Sequence, residues 1–418
     1  MGTEHIQLAF DAGSVFTPGA PINERELFAG RITQMNQIMG AVSQRGYHAV
    51  LYGERGVGKT SISNVLQDFL TDAVGPEGRV FFTRVNCDSK DTFTSLWVKA
   101  LKDITVSNTK PGLGFNSDEQ TDTTSILTSL NSQITPDDVR RLLSGPVFKG
   151  VVLVIIFDEF DRIQDKQVTA LMADCIKALS DYSVPTTILV IGVADSVDTL
   201  IHEHQSIERA LVQIPMPRMS NSEIQQIIIN GLASLTMEID PDALDEITTL
   251  SQGIPYIAHL LGLHCSKACL ARSQKTVTME DLAAAIQMSL DQWQQSIKAA
   301  HYAAVSSKQP STIHREVLLA CALAKTDEMG FFAAANVRHP LSVIAGRKYE
   351  IPNFAKHLKE FTVETRGAIL KNYGDDERRY RFTSPLMRPY IIMKGFAEGM
   401  LDKDKMTLIN DPTANGSK

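Results

Sequence analysis

Long apolar runs are absent from this sequence, and cysteines are few. The longest uninterrupted apolar segments cover residues 151–157 and 317–324, far short of the ~18 residues that a membrane-spanning helix needs. The amino terminus has neither a basic stretch nor an apolar one, which argues against a secretory signal. The five cysteines are scattered and lie mostly in apolar segments, as buried thiols of a reducing compartment do. We therefore expect a cytoplasmic protein without a membrane segment.

Basic residues are outnumbered by acidic ones, but unevenly along the chain. The 418 residues carry a net charge of −7, with −12 in residues 1–300 and +5 in residues 301–400. A basic C-terminal third beside an acidic body suggests contact with a nucleic acid or an acidic protein, and a solvated mixed surface is the alternative. A chain of this length with 43% hydrophobic residues is expected to form two or three globular domains.

A glycine-rich segment, residues 53–60, fits the phosphate-binding pattern G-x-x-x-x-G-K-[ST]. An apolar strand-like segment (48–52) precedes it, and a segment with helical spacing (61–70) follows, as the pattern requires. We expect Lys59 to reach the β- and γ-phosphates of ATP and the Thr60 hydroxyl to ligate Mg²⁺. The residues predicted to bind the nucleotide in this segment are Gly53, Glu54, Arg55, Gly56, Val57, Gly58, Lys59, Thr60 and Ser61.

A second motif begins with the apolar run at 151–157, which predicts a strand buried on both faces of a parallel sheet. Asp158 and Glu159 follow it at the carboxyl end, where open α/β sheets bind their ligands. This is a Walker B pattern. It predicts that Asp158 holds Mg²⁺ through its water shell and that Glu159 orients and polarises the attacking water. Asp161 and Arg162 come next, and we expect them to be outer-shell or subunit-facing groups.

Two more positions are candidates for catalysis. Asp195 follows a predicted strand at 187–193 and can touch the γ-phosphate or the lytic water. Capping of the next helix by Asp195 or Ser196 is an alternative that does not exclude the first. Arg209, near a fifth strand around 211–218, can be a finger supplied to the γ-phosphate of a neighbouring subunit. A structural ion pair is the alternative for this arginine.

The sequence pattern divides the chain into five parts. Residues 1–21 lack periodicity and contain Pro18 and Pro21, so they are expected to form an extended lead-in. Within the α/β part, the polar segment 105–138 is expected to be an acidic, mobile loop. The remaining predicted parts are an α/β nucleotide-binding domain at 22–217, a helical lid at 218–300, a winged-helix domain at 301–400 and a flexible tail at 401–418.

The winged-helix prediction depends on two helical segments, 313–324 and 351–361, followed by two strand-like segments, 367–372 and 379–383. Such a wing can contact DNA phosphates or a groove. Its acidic tip (375–377) favours the alternative of a module that contacts protein. The basic residues expected on or near the wing are Lys356, Lys359, Arg366, Lys371, Arg378, Arg379 and Arg381.

On these motifs, residues 20–395 resemble an AAA+ ATPase of the origin-recognition-like and STAND-related branch. Residues 28–31 resemble the GR box of that family, which implies that Arg31 lines the adenine site, and residues 53–60 and 157–159 match its Walker A and B motifs. Residues 191–195 resemble the sensor-1 segment of initiators, with Asp195 where initiators usually carry asparagine. Arg209 falls near the finger arginine of the family.

The sequence departs from initiators at residues 253–255. Initiators carry a sensor-2 arginine just after this glycine, whereas Gly253-Ile254-Pro255 resembles the G-x-P of STAND-type ATPases, which implies that Pro255 contacts nucleotide. The resemblance implies a slow ATP- and Mg²⁺-dependent switch that self-associates and engages a protein partner. Bacterial ATP-binding proteins encoded beside nucleases in defence islands are also similar, which implies an effector as that partner. The alternative is an ATP-dependent DNA-binding protein of initiator or transposition type.

Overall fold

The computed structural model describes residues 3–21, 28–75, 79–110, 120–129, 132–194, 197, 200, 207–306, 313–327, 329–373 and 379–410. The chain forms two compact units. The α/β unit comprises Ile22–Glu54 and Gly58–Met216, and the helical unit comprises Met1–Pro21, Arg55–Val57 and Pro217–Lys418. The division after Met216 lies one residue from the predicted end of the nucleotide-binding domain. The separation of a lid from a C-terminal domain stays a prediction.

The described residues contain sixteen α-helices. Five of them, α2 to α6, belong to the α/β unit. The helices are α1 (Thr3–Val15), α2 (Ile32–Ser43), α3 (Lys59–Val74), α4 (Phe93–Leu101), α5 (Pro136–Leu143), α6 (Lys166–Asp181), α7 (Asn221–Ser234), α8 (Pro241–Ser251), α9 (Pro255–Ala271), α10 (Met279–Gln292), α11 (Gln295–Val305), α12 (His314–Leu323), α13 (Ala334–Ala345), α14 (Ile351–Glu360), α15 (Met387–Ala397) and α16 (Lys403–Asn410).

The same residues contain twelve strands, seven of them in the α/β unit. The strands are β1 (His48–Gly53), β2 (Arg79–Asn86), β3 (Thr105–Lys110), β4 (Gln120–Ser125), β5 (Val151–Asp158), β6 (Thr186–Val193), β7 (Leu211–Pro215), β8 (Glu238–Ile239), β9 (Thr276–Val277), β10 (Phe332–Ala333), β11 (Leu370–Tyr373) and β12 (Arg379–Phe382).

The α/β unit is built on a five-stranded sheet in the order β2-β5-β6-β1-β7, with every neighbouring pair parallel. The alternating, β-branched and aromatic segment 79–85 predicts β2. With the four strand-like segments named above, all five strands were predicted from the sequence, and the predicted α/β class is confirmed. Strands β1, β5 and β6 are almost wholly buried, which explains why each is a nearly continuous apolar run. Aromatic rings pack on one face, where Trp97 lies edge-on to Phe157 with 5.6 Å between ring centroids.

The prediction of a mobile loop at 105–138 is wrong in two places. Strands β3 and β4 pair antiparallel, and α5 begins with a capping box in which Thr135 and Asp138 satisfy each other's backbone N–H groups. Polar, threonine-rich strands and a two-turn helix carry no long apolar pattern, so the hydrophobic signal missed them. The loop tip, residues 111–119, lies outside the described residues.

The amino-terminal prediction is also wrong, because residues 3–15 form helix α1 rather than an extended lead-in. The fully buried ring of Phe16 holds this end of the helix to the rest of the helical unit. An added Cβ at Gly231 of α7 or Gly262 of α9 would lie 2.5 Å from that ring. The two glycines therefore create the space that the phenylalanine fills, a tertiary feature without a local sequence signal.

The C-terminal part of the helical unit follows the order α12, β10, α13, α14, β11, β12. Its three strands form an antiparallel sheet in the order β10-β12-β11. The predicted helices and the two predicted strands are confirmed there, whereas α13 and α15 were not predicted. The prediction of a flexible tail is wrong for α16, whose Met406 and Ile409 are buried. Residues 411–418 lie outside the described residues. No helix in the described ranges has the length and apolar character of a membrane span.

Candidate functional site

The glycine-rich loop connects the end of β1 to the start of α3, as the pattern predicts. Gly53 ends β1, and an added Cβ there would lie 2.5 Å from the backbone oxygen of Met216. Only glycine fits between these two backbone segments. The residue after Gly58 begins α3, so the backbone N–H groups of the loop and the helix dipole lie where they can bind a phosphate.

Lys59 is buried, and its side chain folds back onto the start of the phosphate loop. Its Nζ donates to the carbonyl oxygen of Gly53 at 2.9 Å and to that of Glu54 at 2.7 Å. The ammonium group thus lies inside the loop that would surround the phosphates. A phosphate oxygen, being charged, is a stronger acceptor than these carbonyls. The arrangement fits a lysine that exchanges carbonyl partners for the phosphates of a bound nucleotide.

The structure brings together the two residues predicted to hold a metal. The Thr60 hydroxyl donates to Asp158 Oδ2 at 3.2 Å, although the two residues are 98 positions apart in the chain. The other carboxylate oxygen, Oδ1, accepts the Glu159 backbone N–H at 2.8 Å, which fixes the carboxylate. A hydroxyl and a carboxylate are hard oxygen donors, and Mg²⁺ in nucleotide sites uses one or two protein ligands besides phosphates and water. The donor set fits Mg²⁺.

Glu159 adopts a backbone conformation that is unusual for its residue type. Its φ of 55° and ψ of 36° lie in the left-handed region, which costs a non-glycine residue on the order of 1 kcal/mol. The side chain is about half exposed, and its Oε2 accepts from Arg162 Nη1 at 2.9 Å. The bond to Glu159 raises the pKa of Arg162. The predicted water-orienting carboxylate is therefore present and accessible, and it is engaged by an arginine three residues later.

Asp161 connects the Walker B turn to the end of β6. Its Oδ1 accepts the backbone N–H of Val193 at 2.7 Å. In the order of the sheet β6 lies between β1 and β5, so the carboxyl end of β6 falls between the phosphate loop and the two carboxylates. Asp195 follows two residues after Val193 but lies outside the described residues. Its predicted role stays a prediction, and Asp161 is the described link to that position.

Arg209 does not lie at this edge of the sheet. It precedes Leu211, the first residue of β7, and β7 runs parallel to β1. Because β7 has five residues, Arg209 lies roughly 16 Å from the carboxyl ends of the strands, where the phosphate loop is. It lines a surface hollow of about 210 Å³ together with Arg45, Lys177 and Asp181. Arg209 is therefore placed away from the nucleotide site of its own subunit.

Two predicted nucleotide contacts lie elsewhere in the chain. Arg31 is buried and precedes α2 with a left-handed φ of 62°, and its contact with adenine stays a prediction. Pro255 occupies the first turn of α9 in the helical unit. Just before it, Gly253 has a φ of +70°, and an added Cβ would lie 2.6 Å from the Met219 backbone oxygen. Gly253 is thus needed for the structure of the helical unit, because any side chain there would clash with the Met219 backbone.

Arg84 is a residue of the site that sequence reasoning missed. It lies on β2, and its Nη2 donates to Asp158 Oδ2 at 2.7 Å, the oxygen that also accepts from Thr60. Its Nη1 donates to Asn64 of α3, one turn after Thr60. The alternation of β2 shows that Arg84 shares a face with Phe82 and not with Thr83, but only the sheet order reveals that β2 adjoins β5.

Comparisons with known proteins agree with this geometry. Residues 27–190 match the family model described as the AAA ATPase domain, a range that includes the phosphate loop and both Walker B carboxylates. The α/β unit has the fold of a P-loop AAA+ ATPase. The matched range covers less than half of the chain, and no curated protein is significantly similar to it in sequence.

Among solved structures, the chain is similar to the ORC2 protein of Aeropyrum pernix, with 15% identity, 96% of this chain and 98% of that chain covered, and a TM-score of 0.49. It is also similar to Cdc6p of Pyrobaculum aerophilum, with 12% identity, coverages of 93% and 99%, and a TM-score of 0.45. A Walker-type ATPase of Pyrococcus abyssi gives 14% identity, coverages of 90% and 99%, and a TM-score of 0.48.

Proposed function

We propose that this protein binds ATP with Mg²⁺ and hydrolyses it slowly, as a switch whose nucleotide state controls self-association and engagement of a partner protein. The observation that supports the proposal most directly is the 3.2 Å contact between Thr60 and Asp158. It joins the two halves of a phosphate and metal site that lie far apart in sequence. The AAA ATPase domain match over residues 27–190 supports the same chemistry.

Each residue of this proposed site has a separate task. Lys59 and the loop N–H groups bind the β- and γ-phosphates, while Thr60 and Asp158 hold Mg²⁺, which neutralises charge on the phosphate oxygens. Glu159 accepts a hydrogen bond from the attacking water and orients it toward the γ-phosphorus. Arg162 is already paired with the Glu159 carboxylate. The attacking water must therefore compete with Arg162 for that carboxylate, and this competition supports slow turnover. Nucleotide contacts by Arg31 and Pro255 and a role for Asp195 are part of the same proposal.

The proposed trans role of Arg209 follows from its position at the opposite edge of the sheet. A finger placed there can reach a γ-phosphate only in a neighbouring subunit. Arg45 and Lys177 line the same hollow and add positive charge to this surface. Self-association with the nucleotide near the contact would bring that positive surface toward the phosphates of the neighbour.

Two substitutions test the proposed activity. Lys59→Ala should abolish ATP binding measured by isothermal titration calorimetry, because the loop loses its phosphate-facing cation. Glu159→Gln should bind ATP with wild-type affinity and hydrolyse it at least about 100-fold more slowly, because the water loses its base. Lys102→Ala, at an exposed lysine after α4, is the control and should behave as wild type. Wild-type turnover by Glu159→Gln would contradict the role of that residue.

A second candidate function, ATP-dependent DNA binding, is supported by a cluster in the C-terminal part. We propose that its helices and strands form a winged helix. The guanidinium of Arg381 lies 4.8 Å from the ring centroid of Phe331 and 5.2 Å from that of Tyr373. The guanidinium of Arg379 lies 4.7 Å from the same Phe331 ring and pairs with Asp327. Partly exposed rings beside arginines can stack on bases or pair with phosphates.

Other contacts in the same region limit this second function. Arg366 donates to the carbonyl oxygens of Ala304 and Ser306 at the end of α11, so it is not available on the wing. Arg378 and the acidic tip lie outside the described residues. Duplex binding by the Glu159→Gln protein, measured with and without ATP over a salt series, tests this function. A steep loss of affinity with salt that Arg381→Ala removes would support DNA contact, whereas no binding at low salt would leave protein docking as the role of this part.

A further inference from the structure

We propose that Arg84 competes with Mg²⁺ for Asp158 and so sets the metal requirement of nucleotide binding. This inference depends on the proposed ATP site. It starts from one oxygen atom, Asp158 Oδ2, which accepts from Arg84 Nη2 at 2.7 Å and from the Thr60 hydroxyl at 3.2 Å. Thr60 and Asp158 are the pair that fits Mg²⁺, so a guanidinium lies on the same carboxylate oxygen that faces the other metal donor.

The electrostatic balance around Asp158 depends on Arg84. Asp158 is 3% exposed, and a buried carboxylate needs a compensating positive charge. Lys59 donates its ammonium group to the carbonyls of Gly53 and Glu54. Arg162 is paired with Glu159. Within the described part of the chain, Asp158 forms its ion pair with Arg84.

The surroundings of Arg84 both hold it in place and allow it to move. Asn64 accepts from Nη1 and anchors the guanidinium to α3. The side chain is about one quarter exposed, so a path to solvent exists. A dication bound between Thr60 and Asp158 would repel a guanidinium at 2.7 Å from the same oxygen. We therefore expect Mg²⁺ held there, directly or through its water shell, to displace Arg84 from Asp158, so that part of its binding free energy is spent on that displacement.

The inference predicts how the affinity for nucleotide depends on the metal. The measured quantity is the ratio of the ATP dissociation constant in EDTA to that in saturating Mg²⁺, obtained by calorimetry with Glu159→Gln protein to prevent turnover. In Arg84→Met, a neutral side chain of similar length replaces the competitor, and we expect this ratio to increase by about tenfold or more, the scale on which a charge within 4–6 Å shifts an ionic equilibrium. In Arg84→Lys, which keeps the charge, the ratio should stay within about threefold of its original value.

The control is Arg79→Met, which removes an exposed arginine from the start of the same strand and should leave the ratio unchanged. A purely structural role for Arg84 would lower the stability of the Met variant without changing its ratio, and that result would overturn the inference. If Arg84→Met does not fold, Asn64→Ala replaces it, because a guanidinium without its anchor is easier to displace and the ratio should still increase. An unchanged ratio in a folded Asn64→Ala protein would also overturn the inference.

The same experiment separates this inference from the proposed function. If the Glu159→Gln protein with Arg84 intact binds no ATP with or without Mg²⁺, the proposed ATP site fails and the inference fails with it. If that protein binds ATP in a Mg²⁺-dependent way but Arg84→Met keeps its ratio, only the inference fails. Mn²⁺ titrated into each protein with ADP and followed by electron paramagnetic resonance gives a second readout, and Arg84→Met should bind Mn²⁺ more tightly.

Discussion

At the scale of single residues, the site consists of charged groups that already have partners. Lys59 is bound to loop carbonyls, Asp158 to Thr60 and Arg84, and Glu159 to Arg162. A nucleotide and its metal would have to exchange these contacts for their own. Each exchange weakens the affinity for the nucleotide or slows its hydrolysis, as expected for a switch rather than a fast motor.

Arg162→Ala removes the ion pair that occupies Glu159, and we expect ATP turnover to increase by about two- to fivefold. The reason is that an exposed ion pair is weak, and without it the attacking water no longer competes with Arg162 for the carboxylate. The measurement is steady-state phosphate release at saturating ATP. Arg141→Ala, which removes an exposed arginine paired with Asp137, is the matched control. A tenfold fall in turnover would show instead that Arg162 takes part in the reaction.

At the scale of elements, buried polar contacts fix the neighbours of β1. His48 begins β1 and is fully buried, and its Nδ1 accepts the Ile188 backbone N–H of β6 at 3.0 Å. The proton of the neutral ring is therefore assigned to Nε2. Burial lowers the pKa of His48 to about 3, from an ordinary value of 6.5. The pairing of β1 with β6, at the end of β1 away from the phosphate loop, thus depends on a histidine that must stay neutral.

This dependence predicts a loss of stability in mild acid. Above pH 6.5 His48 is neutral in both the folded and the unfolded protein, so its titration does not change the free energy of unfolding. Below pH 6.5 the unfolded chain binds a proton at this histidine that the folded chain does not accept. The free energy of unfolding should therefore fall by about 1.4 kcal/mol per pH unit from this residue between pH 6.5 and about 3. In His48→Asn, where an amide oxygen can accept from Ile188, urea denaturation should show a smaller slope. His5→Asn is the control, and an unchanged slope in His48→Asn would contradict the assignment.

The elements also show which parts of the fold a sequence can reveal. Strands β1, β5 and β6 are nearly continuous apolar segments, and the phosphate loop and Walker B carboxylates follow β1 and β5, so both fold and central site could be predicted. Helix α1 could not, because its attachment depends on Phe16 filling space beside Gly231 and Gly262. The role of Arg84 could not be predicted from the sequence either, because it depends on β2 lying beside β5. These two strands are about 65 residues apart in the chain.

At the scale of the whole molecule, the predicted catalytic groups Glu159 and Arg209 lie at opposite ends of the parallel strands. Glu159 follows the carboxyl end of β5, and Arg209 precedes the amino end of β7. One copy of the chain cannot place both on one ATP, so the account requires a second copy for full turnover. Mixing two inactive proteins tests this requirement. Glu159→Gln supplies an intact Arg209, Arg209→Ala supplies an intact Glu159, and a mixed assembly should contain one complete site. We expect the mixture to recover up to about one quarter of wild-type turnover; no recovery in assemblies of proven mixed composition would contradict the trans role.

The central claim is that bound ATP, and not ADP, drives self-association. The most direct measurement is the mass of the Glu159→Gln protein by sedimentation velocity, in saturating Mg²⁺-ATP and in saturating Mg²⁺-ADP, with Lys59→Ala as the protein that should bind neither. The account predicts a larger species with ATP alone, and a single smaller species with ADP and for Lys59→Ala in either nucleotide. The same mass with both nucleotides, under conditions where calorimetry shows that both are bound, would contradict it.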